Sequence, residues 1–304
     1  MKELRKPPWL RKKLSAFVSL SKVSTLLTNA GLHTVCEEAH CPNRGECFNN
    51  GVATFLILGR ICTRNCGFCA IESGVPSPPD GMEPEKVSHA VNKMALGYVV
   101  ITSVTRDDLS DGGASHFAKV IRAIRQLNQN IGVEVLVPDF GGNSSAMAVV
   151  LEEGPDVLNH NIETIPRLYP KVRPLANYER SLTLLGMTKE HYPHIRTKSG
   201  FMIGLGETQR EVFDLLRDLR AGGCDSLTIG QYLQPSSDQL PVVRYVPPEE
   251  FDDYKRKAED MGFRMVVAGP FVRSSFQASL MFENDLAGFS CNPRSAFSPT
   301  AVNT

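Results

Sequence analysis

The sequence lacks several features that would fix its location or its partners. No apolar run approaches the roughly 18 residues that a membrane-spanning helix needs. Its 33 basic and 33 acidic residues cancel, so no overall charge attracts nucleic acid or a membrane surface. The basic N-terminus is not followed by the apolar segment of a secretory signal. We therefore expect a cytoplasmic protein that binds neither nucleic acid nor a membrane.

Cysteine, in contrast, is concentrated in one part of the chain. Six of the eight cysteines lie between positions 36 and 69. In a reducing cytoplasm, such cysteines serve metal binding or catalysis more often than disulfides. They form two triads with different spacings, C-x4-C-x5-C and then C-x3-C-x2-C: Cys36, Cys41 and Cys47, followed by Cys62, Cys66 and Cys69. Three thiolates on a short loop suit one iron–sulfur cube, because each sulfur reaches a different iron. The two triads predict two clusters and redox or radical chemistry.

From residue 53 onward, short apolar runs alternate with helical patterns. Strands are predicted at 53–58, 98–103, 133–137, 156–159, 196–203, 225–229 and 263–268. Helices are predicted at 19–32, 83–96, 114–127, 144–153, 177–190, 207–221 and 248–261, and an irregular tail follows the last strand. This alternation favours a parallel sheet with helical crossovers. Six right-handed crossovers would curl the sheet into a partial (β/α)6 barrel of the α/β class.

The barrel prediction divides the chain into three segments. Residues 1–50 would form an N-terminal arm with the first cysteine triad, residues 51–270 the barrel, and residues 271–304 a C-terminal extension. In such a barrel the loops that follow the strands meet at one face, and the second triad lies in the first of these loops. We expect a single active site at that face.

The N-terminal arm breaks the charge balance of the chain. Its first thirteen residues carry six basic side chains and one acidic side chain, which gives five positive charges. A solvated arm is one interpretation. The other is a basic arm that folds over the barrel or attracts an acidic partner.

The second triad also carries a family resemblance. Cys62, Cys66 and Cys69, with Phe68 before the last cysteine, resemble the signature of the radical S-adenosylmethionine superfamily. The resemblance implies a 4Fe–4S cluster whose fourth iron binds S-adenosylmethionine and whose electron cleaves it to a 5′-deoxyadenosyl radical. A zinc loop or a ferredoxin-type cluster is the simpler alternative. Zinc sites, however, favour four ligands in C-x2-C pairs, and a ferredoxin needs no scaffold of this length.

The first triad narrows the resemblance to the lipoyl synthase family. Residues 36–47 resemble the auxiliary-cluster motif of that family along their whole length. Its C-terminal Arg-Ser-Ser-Tyr motif appears here as Arg-Ser-Ser-Phe at 273–276, which implies Ser274, or alternatively Ser275, as the fourth ligand of that cluster. The change to Phe276 removes a hydroxyl but not the implied ligand. Further similar stretches lie at 106–113, 159–164, 168–174 and 198–207.

The resemblance also implies where S-adenosylmethionine binds. Arg173 could pair with its carboxylate through a two-pronged guanidinium contact. Glu163 and Asn159 could bind its ribose hydroxyls and amine. Glycines near 204–206 could admit its adenine, because they let the backbone approach closely.

Membership of this family implies a reaction and its partners. The substrate would be an octanoyl chain on a lysine of a lipoyl carrier domain or of the glycine-cleavage H protein. Sulfur from the auxiliary 4Fe–4S cluster would enter at C6 and C8, with electrons from a donor such as ferredoxin or flavodoxin. A methylthiotransferase and a non-catalytic two-cluster electron carrier are the alternatives. The first normally has a full domain before its radical motif, and the second would not respond to S-adenosylmethionine.

Overall fold

The computed structural model describes residues 5–11, 20–49 and 53–287, and these form one curved sheet covered by helices. The sheet has eight strands whose spatial order is their order in the chain. They are β1 (His33–Thr34), β2 (Thr54–Ile57), β3 (Tyr98–Ser103), β4 (Gly132–Leu136), β5 (Val157–Asn159), β6 (Arg196–Ile203), β7 (Ser226–Gln231) and β8 (Met265–Gly269). All neighbouring pairs from β2 to β8 are parallel, and β1 pairs with β2 in the antiparallel sense.

Helices connect successive strands and lie outside the sheet. They are α1 (Leu20–Ala30), α2 (Val35–Glu38), α3 (Arg44–Asn49), α4 (Glu83–Lys93), α5 (Ala114–Leu127), α6 (Ser144–Leu151), α7 (Tyr169–Val172), α8 (Tyr178–His191), α9 (Gln209–Ala221), α10 (Pro248–Asp260) and α11 (Ala278–Ala287). Within the described ranges, no helix is long and apolar enough to span a membrane.

The two faces of the sheet carry different side chains. Outward-facing residues are buried and apolar, such as Ile101, Val135 and Ile229, and pack under the helices. Positions that face inward include polar residues such as Thr102 as well as apolar ones such as Leu136. A period of two in each strand produces the two faces, since successive side chains point to opposite sides. The barrel interior is therefore a mixed polar and apolar space.

Most of the predicted elements are confirmed. The seven predicted strands correspond to β2–β8, and the six predicted as barrel strands, β2–β7, are parallel. The seven predicted helices also form, with boundaries shifted by at most three residues. The fold is the predicted partial barrel, extended by β8 at one edge and by β1 at the other.

Three segments differ from the prediction. Helix α7 forms where the sequence predicts no helix. The first triad was expected in a loop, but Cys36 lies in α2 and Cys47 in α3. Thr34 caps α2 by accepting a hydrogen bond from the Glu37 N–H, and this cap starts the helix immediately after β1. The expected irregular tail contains α11. Cys291, which was also expected in that tail, lies outside the described residues.

The C-terminal segment closes the gap between the two ends of the curved sheet. The carbonyl oxygen of Val272 packs against Gly230 of β7. A Cβ added to this glycine would lie only 2.2 Å from that oxygen. Three residues later, Ser275 accepts a hydrogen bond of 2.9 Å from the Thr54 hydroxyl of β2. α11 then crosses the opposite end, where Phe282 packs on Tyr98 with ring centroids 5.2 Å apart. The barrel is thus closed at its side and at its base.

Candidate active site

A cavity of about 510 Å³ opens at the carboxyl ends of the strands, inside the barrel. Both cysteine triads line it, together with the C-terminal segment 272–276. Of the residues predicted for S-adenosylmethionine, Phe68, Glu163 and Arg173 also line it. The structure therefore brings together in one space almost every side chain predicted to act.

The second triad lies on the loop that follows β2, and neighbouring loops fix this loop on both sides. Gly67 donates its N–H to the Val172 carbonyl at 2.9 Å and accepts from the Leu240 N–H at 2.8 Å. A Cβ at position 67 would meet the Leu240 side chain and a carbonyl at 3.0 Å, so glycine permits this close packing. The sulfur of Cys62 accepts N–H groups from Arg64 and Thr105 at 3.4 and 3.3 Å.

The end of β2 holds a strained residue just before this loop. Leu58 has φ of 67°, in the left-handed region that a non-glycine residue seldom adopts. Its N–H donates to the buried Glu83 carboxylate at 2.8 Å, and its carbonyl accepts from Arg106 at 3.2 Å. Glu83 in turn lies 2.7 Å from His116 Nε2. These buried contacts offset the strain and set the direction in which the chain enters the cluster loop.

A second buried network ties the same loop to the loops after β3 and β4. Arg64, between the first two cysteines of the triad, binds both oxygens of Asp107 at 2.7 Å and one oxygen of Asp139 at 2.7 Å. Arg180 of α8 reaches the other oxygen of Asp139 at 3.1 Å. Burial alone would raise the pKa of Asp139, but the Arg64 hydrogen bond and charge lower it to about 2. The carboxylate therefore stays charged and keeps the loop in place.

Burial also affects the thiols of the second triad. It raises the pKa of Cys69 to about 12, partly offset by a hydrogen bond from the Ile71 backbone. It raises the pKa of Cys66 as well, although the positive charge of Arg173 counteracts the increase. A buried thiolate at these positions requires a nearby positive charge, which bound iron supplies.

The first triad approaches the cavity from the side of β1 and β2. Burial raises the pKa of the Cys36 thiol to about 12. A hydrogen bond from the Thr54 backbone lowers this pKa, whereas the nearby Cys41 and Cys47 raise it further. Asn43, between the last two cysteines, donates its amide to the Phe271 carbonyl at 2.7 Å. This contact joins the triad to the C-terminal segment, although 228 residues separate the two partners in the chain.

The two adjacent serines of the C-terminal segment have different surroundings. Both line the cavity. The Ser275 hydroxyl accepts the hydrogen bond from Thr54, whereas Ser274 has no hydrogen-bond partner in the described part of the chain. Its oxygen is therefore available for a ligand, which favours the first of the two predicted serines.

Glu163 and Arg173 lie side by side on the other wall. Glu163 adopts a left-handed φ of 65°, held by backbone hydrogen bonds to Gly200 and Met202. Burial raises the pKa of Glu163, opposed by the charge of Arg173. Arg173 Nη1 donates to the Asn161 carbonyl at 2.9 Å, and its buried Nε has no partner among the described residues. Strain and an unpaired donor in the same cavity indicate a ligand site.

Asn159 does not belong to this wall. Its side chain is fully buried below the cavity, where its amide donates to Glu134 at 2.8 Å. Lys198 also pairs with Glu134 at 3.0 Å, so these inward-facing side chains form a charged floor. Asn159 does not line the cavity, although its Oδ1 is also buried without a partner among the described residues. Asn161, which the sequence interpretation missed, lines the cavity, donates to Glu163 at 3.0 Å and has a buried Oδ1 without a partner in the described chain.

The glycines at 204–206 were expected near adenine, but Gly204 packs against the protein itself. At Gly204 an added Cβ would meet Gln231 Nε2 at 2.1 Å and the Arg244 carbonyl at 2.5 Å, which are groups of the protein itself. Gly200 lines the cavity, but there too an added Cβ would meet protein groups, Thr228 Oγ1 at 2.5 Å and Asn161 Oδ1 at 2.9 Å. Both glycines therefore permit close packing within the protein.

His160 and Tyr232 also line the cavity, and the sequence interpretation gave them no role. His160 bonds to the Val137 carbonyl and the Ser181 hydroxyl at 2.8 and 2.9 Å. Burial, and then the charge of Arg173, lower its pKa to about 4, so the ring is neutral at physiological pH. Tyr232 donates to the Leu240 carbonyl at 2.6 Å and so steadies the segment that covers Gly67.

The donor sets fit iron–sulfur clusters better than zinc. Within the described residues, no three His, Cys, Asp or Glu side chains surround one point as the ligands of a single ion would. Three thiols that line one cavity without converging can each reach a different corner of a cube. Each triad leaves a fourth corner open, and Ser274 lies in the same cavity.

Comparisons with known proteins agree with this geometry. Residues 56–219 match the model of the Radical SAM superfamily. The chain is 53% identical over 287 residues to the lipoyl synthase of Haemophilus influenzae, covering 93% of this chain and 89% of the relative. It is 57% identical over 279 residues to the lipoyl synthase of Shewanella loihica, covering 91% and 87%.

A solved structure shares the fold at much lower identity. Streptococcus suis SuiB bound to S-adenosylmethionine superposes with a TM-score of 0.52 at 10% identity, over 72% of this chain and 51% of SuiB. At this identity the likeness concerns the fold alone.

Proposed function

The chain belongs to the lipoyl synthase family of the radical S-adenosylmethionine superfamily, and we propose that the residues of the cavity carry out that family's reaction. The protein is a sulfurtransferase that inserts two sulfur atoms, at C6 and C8, into an octanoyl chain on a carrier protein. Its cofactors are 4Fe–4S clusters and S-adenosylmethionine. The single observation that carries the assignment of residues is the convergence of both cysteine triads on one cavity.

The two triads have separate duties. Cys62, Cys66 and Cys69 hold the cluster that binds S-adenosylmethionine, on the loop clamped by Arg64 and Gly67. The barrel segment 51–270 supplies this half of the site. When bound, this cluster and its cofactor supply a radical that removes hydrogen from unactivated carbon, and the auxiliary cluster supplies sulfur.

Cys36, Cys41, Cys47 and Ser274 hold the auxiliary cluster. These residues come from segments 1–50 and 271–304, which the contact of Asn43 with Phe271 joins. A serine oxygen is a harder donor than a thiolate and a poorer match for cluster iron. Ser274 therefore suits a cluster that must give up sulfur, since its bond is the weakest of the four.

Arg173, Glu163, Asn161 and Phe68 bind S-adenosylmethionine. The unpaired Arg173 Nε is available to a carboxylate, and its cation is next to the triad that holds the same cluster. Glu163 and the free Asn161 oxygen can accept hydrogen bonds from an amine or from ribose hydroxyls.

The reaction requires this arrangement because an alkyl chain has no acidic proton and no leaving group. Acid–base and nucleophilic catalysis therefore have no group to act on. The side chains must instead hold the chain between the two triads and exclude water. Apolar side chains, among them Leu56, Val104 and Leu136, line the cavity alongside the cysteines and can contact a methylene chain.

The carrier would be a lipoyl domain or the glycine-cleavage H protein, and the reductant a one-electron protein such as ferredoxin or flavodoxin. The described part of the basic arm would face the carrier, because Lys6 lines the cavity and Arg5 and Arg11 are exposed. Deletion of residues 2–13 should raise the KM for an octanoylated carrier domain several-fold more than that for an octanoyl-lysine peptide. Equal effects on the two substrates would contradict a docking role.

The test of this assignment compares one alanine variant from each triad in an anaerobic assay with an octanoyl-lysine peptide. Cys62→Ala should abolish production of 5′-deoxyadenosine, because the cofactor loses its cluster. Cys36→Ala should still produce 5′-deoxyadenosine but transfer no sulfur. Each variant should bind about four irons, against about eight in the parent. If Cys36→Ala still gave a sulfur-containing product, the assignment of the auxiliary cluster would be wrong.

A further inference from the structure

Arg273 is a half-buried cation that lines the cavity. Among the described residues, its one hydrogen bond goes from Nη1 to the carbonyl of the preceding residue, Val272, at 2.6 Å, and it forms no ion pair. In contrast, Arg64, which lines the same cavity, pairs with two aspartates. A guanidinium that lines the cavity without an ion pair among these residues can pair with an anion bound there.

The neighbours of Arg273 show where that anion would lie. The residues that flank Arg273 are bonded to the first triad's side of the cavity. Phe271 accepts from Asn43, which lies between Cys41 and Cys47, and Ser275 accepts from Thr54. The residue after Arg273 is Ser274, so the guanidinium belongs to the segment that faces the auxiliary triad.

The backbone is shaped to admit this guanidinium. At Gly230 of β7 an added Cβ would lie 3.2 Å from Arg273 Nη1 and 2.2 Å from the Val272 carbonyl. Any other residue at position 230 would therefore push the side chain or its segment away. Thr228, two residues earlier on the same inward face, lines the cavity beside it.

We propose that Arg273 is the countercharge that retains the auxiliary cluster, acting through its positive charge and not as a ligand. A cluster core held by three thiolates and a serine oxygen would carry net negative charge, which the guanidinium would compensate. Such a charge would help to retain a cluster whose serine ligand is a poor match for iron. The inference rests on the proposed function, since it assumes that Cys36, Cys41 and Cys47 bind the cluster.

The test isolates the auxiliary cluster in the full-length chain. In a Cys62→Ala, Cys66→Ala, Cys69→Ala background, all bound iron belongs to the other triad. This background should bind about four irons. If it binds none, the proposed function fails, and that result is separate from any effect of Arg273.

Arg273→Met and Arg273→Lys are then compared in that background, with Arg173→Met as the matched control. When a chelator is added, Arg273→Met should lose at least half of its iron while the background loses little over the same time. The cluster of Arg273→Met should also have a more negative reduction potential than that of the background. Arg273→Lys should retain most of the iron, because it keeps the charge. Arg173→Met should behave as the background does.

A further measurement separates this role from a purely structural one. Without clusters, Arg273→Met should melt at about the same temperature as its background, because the half-buried guanidinium has no ion pair among the described residues to lose. If Arg273→Met retained iron as well as its background does, with the same reduction potential, the proposal would be overturned. The proposal would also fail if Arg273→Met, introduced alone into the wild-type chain, bound S-adenosylmethionine more weakly but kept its auxiliary iron. Arg273 would then pair with the cofactor carboxylate instead.

Discussion

Ser274 and Ser275 show how two identical side chains acquire different roles from their surroundings. The hydroxyl of Ser275 is engaged by Thr54, and its hydrogen bond joins the C-terminal segment to the first parallel strand. The hydroxyl of Ser274 lies in the same cavity without a partner in the described chain. The sequence motif identifies the pair, but only the hydrogen bonding distinguishes the proposed ligand from the structural residue.

Substitution of each serine by alanine should separate these roles. Ser274→Ala should release the auxiliary cluster more readily and abolish sulfur transfer, while 5′-deoxyadenosine production continues. Ser275→Ala should keep sulfur transfer and lower the free energy of unfolding by about 1 kcal/mol, the usual value of a hydrogen bond. Iron content, product mass and urea unfolding measure the three quantities. Sulfur transfer by Ser274→Ala at the parent rate would exclude Ser274 as the ligand.

His160 makes a prediction about pH. Its pKa is lowered to about 4 in the folded chain, against 6.5 ordinarily, so the unfolded state takes up a proton first as pH falls. The buried neutral ring makes its full contribution to the free energy of unfolding above about pH 6.5. As the pH falls from about 6.5 to 4, the free energy of unfolding decreases by about 3 kcal/mol on this account. His160→Gln should therefore show a flatter dependence of unfolding free energy on pH in that range. Urea unfolding of the cluster-free chain measures it, and a slope equal to the parent's would contradict it. His89→Gln, at an exposed histidine, is the matched control.

At the scale of elements, the structure uses one end of the barrel for chemistry and the other for stability. Loops after the strands carry the cysteine triad, Glu163 and Arg173, and several of these positions are strained or bear unpaired groups. At the opposite end, α11 closes the barrel. The ring of Phe282 packs on Tyr98 at 5.2 Å and lies under the Arg196 guanidinium at 5.0 Å. This division is typical of (β/α) barrels, in which the carboxyl ends of the strands carry function.

Phe282→Ala should accordingly reduce stability without changing the chemistry. Loss of a partly buried aromatic side chain should lower the free energy of unfolding by roughly 2 kcal/mol, somewhat less than for a fully buried one. Leu280→Ala in the same helix is the control, because that side chain is 50% exposed and should change stability little. A loss of S-adenosylmethionine binding in Phe282→Ala, at a temperature where it remains folded, would contradict this division.

Local pattern was sufficient to predict most elements. Each strand from 54 to 269 has an apolar run, and several intervening helices, most clearly α5 and α9, have apolar residues at helical spacing. The short helices α2, α3 and α7 were missed because they are four to six residues long. Segments this short do not show a periodicity, and their stability depends on tertiary contacts.

The same limit applies to the site. Asn159 and Asn161 lie two residues apart at the end of β5, and the sequence cannot tell which one reaches the cavity. The structure shows that Asn159, still in the strand, points to the charged floor, whereas Asn161 follows the strand and lines the cavity. The lack of an ion pair at Arg273 among the described residues could not be predicted either, because it depends on residues distant in the chain.

At the scale of the whole molecule, the two ends of the chain complete a cavity that the barrel begins. Asn43 and Phe271, and Thr54 and Ser275, are contacts across more than 220 residues, and both join the first triad's side of the cavity to the C-terminal segment. The barrel holds one triad, and the joined ends hold the other. The central claim is that the second half supplies sulfur to a substrate activated by the first.

A single-turnover experiment tests this claim most directly. The auxiliary triad is reconstituted with isotopically heavy sulfide, free sulfide is removed, and the octanoyl-lysine peptide is allowed to react once with S-adenosylmethionine and reductant. Mass spectrometry of the peptide then counts the heavy atoms. We predict a product with two heavy sulfur atoms and a matching loss of sulfide from the protein. A product with unlabelled sulfur, or 5′-deoxyadenosine without sulfur on the peptide, would contradict the account.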